Sequence, residues 1–178
     1  MEPDEQQLFA EKSFDGALGL IENRIGKPPL RRAVRQALEL NEDSDFSTHQ
    51  ALLKLAISKE GHLRLVTTNF DKAFLKADFS GKPEFDYAPY LPVPGHGWSS
   101  VVHLHGGFGN ERERADESLV LTSADFGRAY ITEGWASRFL SELFRRAGAI
   151  LFVGYSVSDP AIRYIVDAFA ADRAGREA

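Results

Sequence analysis

A chain of 178 residues with 43% apolar side chains is sized for one domain with a substantial core. Its formal charge of −5 argues against the basic surface of a nucleic-acid-binding protein, and no apolar run approaches the length of a membrane span. With no cysteine there is neither a disulfide framework nor a cysteine-based zinc site, and the acidic opening "MEPDEQQLFAEK" is unlike a signal peptide, so a cytoplasmic protein is expected.

From Phe14 to Ile25, Ala17, Leu18, Ile21 and Ile25 recur at helical spacing, and Gly26, Pro28 and Pro29 end the pattern. A second helix carries Leu30, Ala33, Val34, Ala37 and Leu38 on one stripe, with Arg31, Arg32 and Arg35 mostly off it. After the polar break "NEDSD", Ser47 with Gln50 reads as a capping box for a third helix through Leu52, Leu53 and Ile57 to Gly61. The first strand is "LRLVT" (Leu63 to Thr67), and a short helix with Ala73, Phe74 and Leu75 follows it. Residues 78 to 100 mix prolines, glycines and aromatics, a pattern that suits a functional loop with a short edge strand near Phe85 to Tyr90. "SVVHLH" is the second strand and "LVLT" a short third one, with Thr122 or Ser123 capping a helix that contains Phe126. Trp135, Phe139, Leu140, Leu143 and Phe144 mark the next helix. "AILFVGY" (Ala149 to Tyr155) is the most apolar strand, suited to burial on both faces of a parallel sheet. Asp159 then caps a last helix that starts at Pro160. Buried strands alternating with amphipathic helices predict an α/β domain with a mainly parallel sheet.

Open α/β sheets bind ligands beyond the carboxyl ends of their strands. Three strand ends here carry polar groups with small residues or a helix start: "TTNFD", "HLHGG" and "GYSVSDP". Each has an ordinary explanation too. Asn69 and Asp71 suit helix capping, Gly154 a permissive strand exit, and a histidine on a strand is usually a hydrogen-bonded packing residue. His103 and His105 share a strand face but lie about 7 Å apart along it, and no further ligand stands at a recognisable spacing, which disfavours a metal pair. His105, nearer the strand's end and followed by Gly106, is the one placed to reach a ligand, and His103 reads as a packing or supporting residue.

Taken in order, "LVTTNFD", "HLHG" and "FVGYSVSDPAIRYIVDAF" resemble the sirtuin-like NAD-binding superfamily, nearest to the bacterial domains of NAD-depleting anti-phage defence proteins. The likeness covers about residues 60 to 170 and includes "LVLTSADFGRAY" and "FLSELFRRAGAILFVGYS". It implies a Rossmann-like three-layer fold of the DHS-like NAD/FAD-binding type, with a helical segment at 1–61, a core at 62–170 and a polar tail at 171–178. It also implies roles. Asn69 matches the asparagine near the nicotinamide ribose, Asp71 the acidic residue of the carboxamide pocket, and His105 the base acting on a ribose hydroxyl. Thr68 and Gly106 fall beside them, and Gly154, Tyr155 and Ser156 match the segment on the ribose and phosphate side of NAD.

The implied reaction is hydrolysis of NAD to nicotinamide and ADP-ribose, with NAD as substrate and no metal. Breaking the nicotinamide–ribose bond builds oxocarbenium character on the sugar, and nicotinamide leaves as a neutral molecule. A polar group on the ribose, an ordered water and a base titrating near neutrality then suffice, and histidine fits the last role. Two features depart from the family pattern. Sirtuin deacylases carry a four-cysteine zinc module, which this sequence lacks, so the zinc-free NAD-hydrolysing branch is expected. The family's opening strand and glycine-rich phosphate-binding turn are also not visible, since "DGALGL" lies in a helical pattern and follows no strand. The chain thus reads as a fragment of a longer family pattern or as a degenerate member. Its expected partners are further copies or other domains of a defence system, with no nucleic acid and no membrane. The alternatives are a catalytically inactive interaction or nucleotide-sensing domain and, below that, an NAD-dependent protein deacylase.

Overall fold

The computed structural model describes residues 1–41, 43–95, 97–109, 118–154, 163–164 and 166–167. Four helices come first: α1 (Pro3–Ala10), α2 (Phe14–Ile25), α3 (Lys27–Ala37) and α4 (Ser47–Leu55). They are followed by β1 (Arg64–Thr67), α5 (Ala73–Lys76), β2 (Phe85–Tyr87) and β3 (Ser100–His103). Then α6 (Ser123–Gly127) runs into a π-helical turn, Arg128–Thr132, and α7 (Trp135–Arg146) closes the regular elements. The expected capping box at Ser47 is not formed. Phe46 holds the cap position, and the Asp45 carboxylate accepts from the Ser47 backbone N–H (2.8 Å) and hydroxyl (2.9 Å). With the helix starting one residue earlier than expected, the Gln50 N–H that a Ser47 cap would satisfy donates instead to Phe46 O (2.9 Å). At α6 the reading holds: Thr122 Oγ1 accepts from Asp125 N, and the Asp125 carboxylate returns the bond to Thr122 N.

The sheet is parallel throughout, in the order β1-β3-β2, with Thr67 and Tyr87 both in register with His103. Every residue of the central strand β3 is buried. Successive strand residues face opposite sides, and Val101 and Val102 accordingly enter different cores. Val102 packs with Leu104, Val120, Trp135, Phe139 and Leu140, so α7 covers one face. Val101 packs with Leu53, Leu63 and Phe74, so α4 and α5 cover the other. A third cluster, built on Phe108, Leu119 and Leu121 with Leu18, Val34 and Phe70, brings α2 and α3 against the loops beyond the strands. The result is the three-layer α/β arrangement.

Two expected strands are not formed. Leu119–Leu121 are buried, but their contact with the sheet region is a single bond from Val120 N to His105 O (3.0 Å) rather than a ladder. Residues 149–154 are irregular, with Leu151 72% and Val153 56% exposed. An apolar run becomes a strand only when a neighbour completes its hydrogen bonds, and β1 pairs with β3 alone among the described residues. The segment instead forms one wall of a cleft along the outer edge of β1. The expected cap at Asp159 lies outside the described residues. No helix among the described residues is long and apolar enough to cross a membrane.

Candidate functional site

The carboxyl ends of β1 and β3 are tied to one another. Leu104 N donates to Thr67 O (2.9 Å), Phe108 N donates to Phe70 O (2.8 Å), and His103 Nδ1 donates to Asn69 O (3.0 Å). A carbonyl only accepts, so the His103 proton sits on Nδ1. Thr67 Oγ1 in turn accepts from Asn69 N (3.1 Å). The Asn69 backbone is therefore fixed on both sides while the residue as a whole stays exposed at the mouth of the cleft. Asp71 takes up the ordinary task foreseen for it: its Oδ1 accepts from Ala73 N (2.8 Å) at the start of α5. That bond occupies one carboxylate oxygen and orients the group.

The two histidines do not share surroundings. His103 closes β3, stacks on Tyr87 at 4.7 Å and 23°, and lies near Phe85. His105 lies beyond the strand, after a turn in which Gly106 N donates to His103 O (3.1 Å). Its ring meets Phe126 and Tyr130 edge-on, and Nε2 is 2.8 Å from Tyr130 Oη. The shared-face expectation fails because side chains alternate regularly only within the strand, and the strand ends at His103. Burial pulls both histidines below the ordinary value. For His103 the bond to Asn69 O and the charge of Asp71 work against that pull. For His105, 4% exposed, burial acts alone and brings the pKa to about 4. His105 is neutral at physiological pH.

The paired glycines have separate reasons. Gly106 has φ +80°, a left-handed conformation that other residues adopt only under strain. A side chain at Gly107 would start 2.8 Å from His103 Nδ1 and 3.0 Å from the Tyr87 ring. A Cβ at Gly106 would meet Ser118 O at 3.1 Å and Leu119 Cδ2 at 3.2 Å, so the chain packs closely on that side of the glycine.

The cleft has a volume of about 730 Å³ and brings together Thr68, Asn69 and Gly154 of the expected site residues. Gly154, at φ +63°, faces open space. Asp71, His105 and Gly106 are not among its lining residues, and Tyr155 and Ser156 lie outside the described residues. Among the described residues no three His, Asp or Glu side chains stand where they could hold a metal ion.

Two further features escaped the sequence reading. Tyr130, on the π-helical turn, is the polar neighbour of His105 and carried no motif of its own. Arg31, placed with Arg32 and Arg35 mostly off the apolar stripe of its helix, is 2% exposed. It bonds Asp125 Oδ2 (2.5 Å) and Glu22 Oε2 (2.6 Å), while Lys27 (3.5 Å) and Arg128 (3.1 Å) reach Asp125 Oδ1. Burial pushes the Asp125 carboxyl up, but Arg31, the Leu121 N–H and Lys27 together hold it below the usual carboxylate value. The hub joins α2 and α3 to the segment that also contacts His105. Its signal was the capping motif at Thr122, whose acidic member recruits the cations.

Residues 63–178 match the SIR2-like domain family. Over 181 aligned residues the chain is 32% identical to the uncharacterized protein y4cA of Sinorhizobium fredii (strain NBRC 101917 / NGR234), an alignment covering 96% of this chain. The chain spans 15% of the length of that curated relative. No solved structure matches.

Proposed function

The chain belongs to the SIR2-like domain family, and we propose that it hydrolyses NAD+ at the nicotinamide–ribose bond. The bond from C1′ of the ribose to the ring nitrogen breaks with its electron pair leaving on nicotinamide. Water adds at C1′ and gives up one proton, and the products are nicotinamide and ADP-ribose. The observation that carries this reading is the convergence at the carboxyl ends of β1 and β3. Asn69 is held through both its backbone groups and exposed on a cleft, and the adjoining loop carries His105. Asn69 both donates and accepts without charge, which suits a group holding a ribose hydroxyl and a water together. Thr68 adds a hydroxyl on the same wall, and Gly154 leaves its backbone open on the other. His105 is the proposed base for a ribose hydroxyl: it is unprotonated at neutral pH, but burial brings its pKa to about 4, below the near-neutral titration expected for that role. Asp71, with one oxygen committed to Ala73 N, is the acidic group of the carboxamide pocket.

Among the described residues β1 pairs with β3 alone, and the polar end of the cleft beside β1, at Thr68, Asn69 and Gly154, is the part proposed for the substrate. Tyr155, Ser156 and Gly106 remain contacts proposed from the family likeness, as does a role in a defence system built from further domains or copies of this chain. Purified protein incubated with NAD should release nicotinamide, and Asn69→Ala and His105→Ala should each be slower by about 100-fold or more. Equal rates in the three proteins would remove both residues from the reaction.

One observation favours a second reading, a nucleotide-sensing domain without turnover. His105 is buried and does not line the cleft. Saturable NAD binding with no nicotinamide released would support it.

A further inference from the structure

The three strands of the sheet bring Thr67, His103 and Tyr87 into register at their carboxyl ends. His103, on the central strand, is 2% exposed, and its ring has a partner from each neighbouring strand. Tyr87 of β2 stacks on it at 4.7 Å and 23°, and Asn69, two residues beyond β1, accepts from Nδ1 (3.0 Å). A Cβ at Gly107 would come within 2.8 Å of Nδ1 and 3.3 Å of Cγ, so only glycine leaves the ring the space it occupies. The bond to Asn69 is one of two that grip that residue. Asn69 N donates to Thr67 Oγ1 (3.1 Å), and Thr67 is itself buried. The N–H of a residue belongs to the planar peptide before its Cα, and the carbonyl to the planar peptide after it. Anchoring both planes fixes the two soft backbone angles at Asn69, and with them the direction of its Cα–Cβ bond. Asn69 lines the cleft, so that direction is set at the cleft wall.

We propose that His103 is a positioning residue for the site: from the buried end of β3, its Nδ1–H holds the Asn69 carbonyl and so aims the Asn69 side chain at the cleft. A residue that only packed here would need the shape of the ring, whereas this task needs a donor at the δ position. The donor does not depend on titration, because Nδ1 carries a proton in the imidazolium as well as in this neutral tautomer. Asn69 is the group assigned above to a ribose hydroxyl and a water. Displacing such a group by about 1 Å can slow a reaction by about 100-fold, even when the change lies behind it. The effect on turnover thus rests on the NAD reading, whereas the tie between His103 and Asn69 does not.

His103→Leu and His103→Asn separate the two roles. The substitutes are close in size and branching, and only asparagine keeps a donor, an amide nitrogen one bond from Cγ as Nδ1 is. NAD turnover should fall by about 10-fold or more in His103→Leu and recover to within about threefold of the wild type in His103→Asn. Urea stability should run the other way, because leucine is buried without polar cost and asparagine brings an amide oxygen with it. A leucine variant that turns over NAD as fast as the asparagine variant would overturn the proposal. The carbonyl carbon-13 resonance of Asn69 reads the tie without substrate: it should move upfield in His103→Leu and stay near its wild-type place in His103→Asn. An unmoved resonance in the leucine variant would also overturn it. If neither variant folds, the nitrogen-15 spectrum of the wild-type His103 ring decides, with a protonated Nδ1 upholding the tie and a protonated Nε2 overturning it. If the wild type releases no nicotinamide, the NAD reading fails, and the Asn69 and His103 resonances alone uphold or overturn the tie.

Discussion

Asp125→Ala tests the link between the helical N-terminal segment and the site. The wild-type carboxylate makes ion pairs with Arg31, Arg128 and Lys27, accepts from the backbone N–H groups of Leu121 and Thr122, and completes the cap of α6. Stranding one member of a buried pair typically costs about 3–5 kcal/mol, and losing a helix cap about 1 kcal/mol more. Arg31 keeps Glu22 at 2.6 Å, which reduces the first figure, so the expected loss is about 3–4 kcal/mol. In a chain of this size each kcal/mol moves the melting temperature by about 2–4 °C, so the midpoint should fall by about 10 °C. Urea unfolding followed by circular dichroism gives the free energy directly. Arg31→Ala combined with Asp125→Ala should lose less than the two single losses together, because the second substitution removes a group that the first left stranded. A loss below about 1 kcal/mol in Asp125→Ala, or strict additivity in the double variant, would refute the role of the hub.

Gly107→Ala places a Cβ against the His103 ring and Tyr87 and should destabilise by about 1–3 kcal/mol, with displaced His103 ring resonances; wild-type stability would contradict the close approach. Gly106→Ala meets left-handed strain of about 1–2 kcal/mol in addition to the contact with Ser118 O, so its unfolding midpoint should also fall. His105 gives stability a pH dependence. Its folded pKa of about 4 lies below the unfolded value near 6.5, so between those limits the unfolded chain binds the extra proton. The stability present above pH 6.5 is thus lost as the pH falls toward 4, by about 3 kcal/mol, and His105→Phe should flatten that slope. Asp125 acts further down: its carboxyl is held below the usual value, so its stabilisation persists until the pH falls through that lowered pKa. Asp125→Asn should therefore weaken the acid limb below about pH 4.

The buried elements were the legible ones. Ser100–His103 reads as a strand because its apolar residues meet helices on both faces, and α7 shows its stripe because Trp135, Phe139 and Leu140 pack on one core. Apolarity could not say whether Ala149–Tyr155 finds a ladder partner, and residues 149–154 line a cleft instead. Charge misled in the opposite sense at Arg31: a guanidinium is buried when carboxylates from α2 and α6 converge on it, and neither is its neighbour in sequence. At the site, Asn69 and His105 stood out by their strand-end positions. Tyr130 did not, because its partner comes from 25 residues away and its placement depends on a π-helical turn that no spacing rule describes.

The most direct test of the account is the product balance when the purified protein is incubated with NAD and no peptide acceptor. Proton NMR should show nicotinamide and ADP-ribose appearing one for one, with both appearing more slowly by about 100-fold or more in Asn69→Ala. Intact NAD after prolonged incubation, or equal release by the Asn69→Ala variant, would contradict hydrolysis at this site.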